Sequence, residues 1–183
     1  MKLRIHKGMT RDDLAKRFAE WGFTLGVEVG TQAGKYAKIL CENNKNLKLI
    51  TFDAFELVYG DNYTRRIGSR KQRGLYATAA KRLSKYNCEV FKKTSIEALQ
   101  DFKYESIDFV YIDGSHEFDY VVTDIAMWGQ KVKKGGIISG HDYFEASFPG
   151  VVRAVNDYSK MHNVKTINIT TDITPSWWIE RTW

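Results

Sequence analysis

The sequence predicts an α/β fold: one doubly wound, mostly parallel sheet with helices on both faces. Three observations point there. Apolar runs of strand length alternate with amphipathic stretches of helical spacing along most of the chain. Residues of chemical character (Glu28, Asp53, Asp113, His116, His141, Asp142) fall directly behind those apolar runs. The 183 residues, 43% hydrophobic and 14% aromatic, suit a single domain with a full core, spanning 1–183.

Each element follows from its own pattern. In "RDDLAKRFAEWGF", Leu14, Phe18 and Trp21 recur at helical spacing behind Thr10, an N-cap residue, and Gly22 ends the run. Residues 1–24 therefore read as an N-terminal helical extension. "TLGVEVG" is a short buried strand, "KYAKILCENN" a helix and "LKLITFDAF" a second strand. Between 56 and 74 the periodicity dissolves into Gly, Asp, Asn and Arg with scattered aromatics, the pattern of a lid or substrate loop. Regularity resumes with the helix "LYATAAKRLSKY", the strand "CEVFKK", the short helix "SIEALQDF", the strand "IDFVYID" and the helix "EFDYVVTDIAMWGQKV". "GGIISGHDY" is a strand, "VVRAVNDYSKMH" a helix after Pro149, and "KTINITT" and "SWWIERTW" are the closing strands. Strands alternating with helices imply parallel pairing through crossovers. In such sheets ligands bind beyond the carboxyl ends of the strands, which places the polar groups along one edge.

Composition narrows the setting. Cys41 and Cys88 share no metal-ligand or disulfide spacing, no secretory apolar region opens the chain, and no apolar run is long enough to span a membrane. A cytoplasmic protein in a reducing compartment is expected; self-association is left open. The net charge of +6 is concentrated in "RRIGSRKQR", where Arg65, Arg66, Arg70, Lys71 and Arg73 stand without an acid. That run is either a solvated loop or a contact for an anionic acceptor, nucleic acid being the less favoured partner.

"EVGTQAGKYA" follows the first core strand and opens a helix, with Gly30 and Gly34 allowing a tight turn and close approach to a ligand. Asp53 ends the next strand, placed to accept ribose hydroxyls of an adenosine. A dinucleotide loop would carry glycine where Gln32 stands, and the Glu28 carboxylate would face its diphosphate, so NAD and FAD are disfavoured. A carboxylate there suits a cationic ligand instead, such as S-adenosylmethionine with its amino group and sulfonium.

With "VEVGTQAGKYA", "TFDAF", "KKTSIEAL" and "IDFVYIDGSHEFDYVVTDIAMWGQKVKKGGIISGHDY", the chain resembles class I S-adenosylmethionine-dependent methyltransferases. Within them it is similar to the small O-methyltransferases of the macrocin sugar type. The resemblance runs from about Leu25 to Val155 and is most specific in D-G-S-H and G-G-x-x-x-G-H-D-Y. It implies a Rossmann-like sheet of seven strands, the last antiparallel. It also implies that Glu28, Gly30, Thr31 and Gly34 cradle the methionine part, that Asp53 holds the ribose, that Ser95 lies near the adenine and that Asp113 faces the reacting end. Ala37 departs from the Ser or Thr often found there. The function so implied is O-methylation of a small molecule or sugar; RNA methylation and a non-catalytic cofactor-binding module are the alternatives.

Methyl transfer from a sulfonium is an in-line displacement, and a hydroxyl nucleophile needs help to lose its proton. His116 is the candidate base, with Asp113 beside it; such bases contribute about 100-fold to 10,000-fold. Asp113, His141 and Asp142 are candidate ligands for magnesium or manganese, although imidazole is unusual for magnesium and relatives carry an acid at position 141. The structural alternatives are that Asp113 caps the following helix and that His116 bonds only to backbone. Asp124 is expected to face solvent or a lysine, and Trp128 to pack in the core. Tyr59 and Tyr63 in the loop suit a glycan or aromatic acceptor. Of the adjacent Trp177 and Trp178, at least one is expected in the core, since neighbours in a strand point to opposite faces.

Overall fold

The computed structural model describes residues 1–55 and 74–183, so the expected lid, its arginines, Tyr59 and Tyr63 lie outside the described residues. In chain order the elements are β1 (Lys2–Ile5), α1 (Arg11–Glu20), β2 (Leu25–Val29), α2 (Lys35–Asn43) and β3 (Lys48–Asp53). They continue with α3 (Leu75–Leu83), β4 (Cys88–Lys92), α4 (Ser95–Ala98) with a 3-10 turn behind it, β5 (Ile107–Ile112) and α5 (Phe118–Gly129). The chain closes with β6 (Val132–Gly140), α6 (Pro149–Met161), β7 (Thr166–Ile169) and β8 (Trp177–Glu180).

The strands form one sheet in the order β1-β7-β8-β6-β5-β2-β3-β4. Strand β8 runs antiparallel between β7 and β6, and the other neighbours are parallel. The α/β class and the antiparallel last strand agree with expectation. The strand count does not: among the described residues there are eight strands, because Lys2–Ile5 pairs with Thr166–Ile169 at the edge. All four β1 residues are exposed, so no buried face marked this strand in the sequence, and the N-terminal extension holds a strand as well as a helix.

Period-two alternation divides the core. Phe109 and Tyr111 of β5 point to the layer of α1, α2 and α3, where Leu14, Phe18, Leu40 and Leu83 are buried. Val110 and Ile112 point to the layer of α4, α5 and α6, with Ile125, Trp128 and Val155. Trp177 and Trp178 follow the same rule, one in each layer and both buried. Thr10 caps α1 reciprocally with Asp13, each accepting a backbone N–H of the other. Strand order reverses between β2 and β5, and the crevice opens beyond their carboxyl ends. Among the described residues no helix is long and apolar enough to cross a membrane.

Candidate active site

A cavity of about 420 Å³ opens at that edge, lined by residues at or just beyond the carboxyl ends of β2, β3, β4, β5 and β6, and by Arg11 from α1 among others. Its floor begins at Gly30, where φ is +95° and a Cβ would stand 2.1 Å from the Asp113 carbonyl oxygen. Glycine alone fits both constraints. The Asp113 N–H donates to the Val29 carbonyl at 2.8 Å, so the two strand ends are tied at the point where the backbones come closest.

Glu28 is buried, and the Thr51 hydroxyl donates to it at 2.5 Å while Thr31 Oγ lies 2.5 Å from Thr51 Oγ. Burial pushes the Glu28 carboxyl up to about 8, so it keeps its proton near neutrality. Asp53 accepts the Gln32 N–H at 2.9 Å through one oxygen and the Phe55 N–H at 2.7 Å through the other. A carboxylate has further lone pairs, so those bonds orient Asp53 and leave it able to accept hydroxyls. Gly34, with φ +70°, begins α2.

At the β4 side, Ser95 donates to Asp124 and accepts the Trp128 indole N–H at 2.8 Å. Asp124 is therefore buried on the pocket wall, contrary to the expectation of a solvent-facing acid. Its partner is Ser95, 29 positions away, and not solvent or a lysine; that bond meets the demand that burial places on a polar group. Burial pushes Asp124 up to about 6, with the Ser95 bond opposing.

The opposite end gathers residues distant in sequence. Asp142 sits between two imidazoles: His116 Nε2 lies 2.8 Å from its Oδ2 and His141 Nδ1 3.0 Å from its Oδ1. Burial opposes the Asp142 charge, but the bonds from His116 and His141 hold its carboxyl well below the usual range. Asp142 adopts φ +59°, a left-handed conformation costing an L-residue about 1–2 kcal/mol, which turns its carboxylate toward both rings. His141 Nδ1 is also 3.7 Å from Asp113, whose own carboxyl is pushed up by burial against the pull of His141 and Arg11. His116 lies against the Phe148 ring, and the carbonyl of His116 approaches α6 at Gly150, where a Cβ would stand 2.4 Å away.

The structural alternatives drop out. Helix α5 is preceded by Glu117, without a side-chain cap, so Asp113 does not cap it. His116 bonds to a carboxylate. One participant was missed altogether: Arg11 reaches Asp113 Oδ2 at 3.3 Å and His141 Nε2 at 3.2 Å, with its guanidinium 4.1 Å above the Tyr36 ring.

A family model described as "Methyltransferase domain" matches residues 27–143, more than half of the chain. The chain belongs to this methyltransferase family. An uncharacterized protein, R132 of Acanthamoeba polyphaga mimivirus, is 25% identical over 146 residues, which are 79% of this chain. The methyltransferase chain spans 63% of the length of that relative. The O-methyltransferase NovP superposes with a TM-score of 0.70 at 16% identity, covering 94% of this chain and 80% of that one. An rRNA methylase from Streptococcus thermophilus gives 0.65 at 14% identity, covering 97% and 100%. At these identities the likeness shows the class I methyltransferase fold.

On this methyltransferase fold, Glu28, Gly30, Thr31, Asp53, Ser95, Asp113, His116, His141 and Asp142 all line one pocket. Arg11 and Asp124 join them there. Gly34 is not brought there with them: it packs toward α3, where a Cβ would stand 3.0 Å from Leu83. A signal for Arg11 did exist: it is the first residue of α1, where the helix end is positive and a cation is disfavoured by about 0.3–1 kcal/mol. Local misfits of that kind often mark functional positions.

Proposed function

We propose that this domain transfers a methyl group from S-adenosylmethionine to a hydroxyl of a small molecule or sugar, acceptors with anionic character included. The macrocin-type sugar branch is the reading we favour, on D-G-S-H and G-G-x-x-x-G-H-D-Y. The observation that carries the reaction is Asp142 held between His116 and His141 at the end of the pocket beside Asp113.

The pocket fits the cofactor. Its volume suits a ligand of that size, its floor offers the buried Glu28, and Asp53 is oriented by two backbone amides. Glu28, Gly30 and Thr31, on the turn that Gly34 closes, would hold the methionine part, Asp53 the ribose and Ser95, with Asp124, the adenine side. Bound S-adenosylmethionine supplies a methyl carbon on a positively charged sulfur. Asp142 holds the Nε2–H of His116, which makes Nδ1 the basic nitrogen. His116 then takes the hydroxyl proton on Nδ1 as the oxygen–carbon bond forms and the carbon–sulfur bond breaks with its electrons left on sulfur. Asp113 orients the reacting end.

The divalent ion expected at Asp113, His141 and Asp142 does not fit the residues as arranged. One donor atom from each lies within 4.8 Å of the others, but Arg11 already engages Asp113 and His141, while the two imidazoles engage both oxygens of Asp142. No step of the proposed reaction runs through a metal.

The test is incubation with methyl-labelled S-adenosylmethionine and a panel of sugars, phenols, anionic hydroxy compounds and RNA. Label in a hydroxyl product of the small molecules is expected. Label in RNA alone would overturn the small-molecule reading.

A further inference from the structure

Arg11 has only N–H donors, so the 3.2 Å approach of its Nη1 to His141 Nε2 makes that nitrogen the acceptor. The His141 proton is then on Nδ1, which donates to Asp142 Oδ1 at 3.0 Å. The lone pair a metal would need on this ring is thus directed at a guanidinium. The second prong of Arg11 lies 3.3 Å from Asp113 Oδ2.

The Arg11 backbone is anchored and its guanidinium is stacked on aromatic rings. The Tyr36 ring lies 4.1 Å beneath the guanidinium and the Tyr111 ring 5.7 Å away, while the Arg11 backbone accepts the Tyr36 hydroxyl at 3.0 Å and donates its amide N–H to Asp172 at 2.7 Å. Stacking on aromatic faces and a rigid fork of donors are what suit arginine to such a place. The Thr174 hydroxyl, 3.4 Å from His141 Nε2, completes the wall.

We propose that Arg11 occupies the cation position of the Asp113, His141 and Asp142 cluster, so that the reacting end of this pocket carries a built-in guanidinium in place of a divalent metal ion. A monovalent cation covalently held at the site repels a second cation and blocks the donors it would use. Acceptor selection follows: Arg11 lines the pocket, and an acceptor oxygen or anionic group beside the reacting hydroxyl meets its positive charge without added metal. This consequence rests on the methyl-transfer reading; the exclusion of the ion does not.

The probe is manganese alone, followed by electron paramagnetic resonance on the full chain, with S-adenosylhomocysteine binding measured separately on each variant as the check of folding and of the proposed function. The wild type is expected to show no saturable manganese binding at micromolar metal. Arg11→Met should bind manganese on the order of tenfold or more tightly than wild type, because the repelling charge is removed. Adding Asp142→Asn to Arg11→Met should abolish that gain. Micromolar binding by the wild type that Asp142→Asn removes would overturn the proposal. So would the absence of any gain in Arg11→Met or Arg11→Gln, the second neutral variant, when either binds S-adenosylhomocysteine like wild type.

Discussion

The two ends of the pocket are assembled differently. At the cofactor end, Glu28, Gly30, Thr31 and Asp53 come from two adjacent strands and the turn between β2 and α2, and backbone amides fix much of their geometry. At the reacting end, Arg11, Asp113, His116, His141, Asp142 and Thr174 converge from segments spread across nearly the whole chain, and side chains orient one another. An end built by a local turn carries its signature in consecutive residues. An end built by convergence shows its members but not their pairings.

The largest expected effect lies at the convergent end. With an acceptor that the wild type turns over, His116→Ala should lower kcat by about 100-fold to 10,000-fold while S-adenosylhomocysteine affinity is kept. Wild-type turnover in that variant would remove His116 from the proton transfer. At the local end, Gly30→Ala forces a Cβ into the Asp113 carbonyl at a positive φ. It should destabilise the protein by about 2–4 kcal/mol, a drop of roughly 5–15 °C in Tm, and weaken cofactor binding. Unchanged melting would show that the two strand ends tolerate separation.

Smaller effects come from the buried acids. Asp124 has a folded pKa of about 6 against 3.8, so the unfolded chain ionises first and stability contributed by the protonated form is lost as pH rises between those values. Asp124→Asn should remove that part of the slope, worth about 1–3 kcal/mol above pH 6. Denaturation at pH 4 and pH 7 compares the two proteins; parallel pH profiles would contradict a buried, ionisable Asp124. The smallest signal is a proton. Glu28, held up to about 8 by burial, should ionise when a ligand amino group arrives, releasing part of a proton near pH 7. Calorimetry in buffers of different ionisation enthalpy reads it, and Glu28→Gln should abolish the release.

Much of this was legible in the sequence. Alternation of strand and helix implies the α/β class, and the rule that ligands sit beyond strand carboxyl ends places Glu28, Asp53, Asp113, His116, His141 and Asp142 on one edge. What was hidden was tertiary. Strand β1 has no buried face to produce a pattern. Asp124 is polar in a helix, and only the position of Ser95 makes it a buried partner. Arg11 lies more than 100 positions from Asp113, joined to it by the docking of α1 against the pocket. The boundaries of β6 also shifted: the strand begins at Val132, with Gly135 at φ +82° inside it, where the sequence placed its start at Gly135.

Titration of S-adenosylhomocysteine into cofactor-free protein, with NAD in parallel, tests the central claim most directly. Saturable one-to-one binding of S-adenosylhomocysteine, weakened by Asp53→Ala and kept in His116→Ala, is the predicted result. No binding, or binding of NAD in its place, would contradict it.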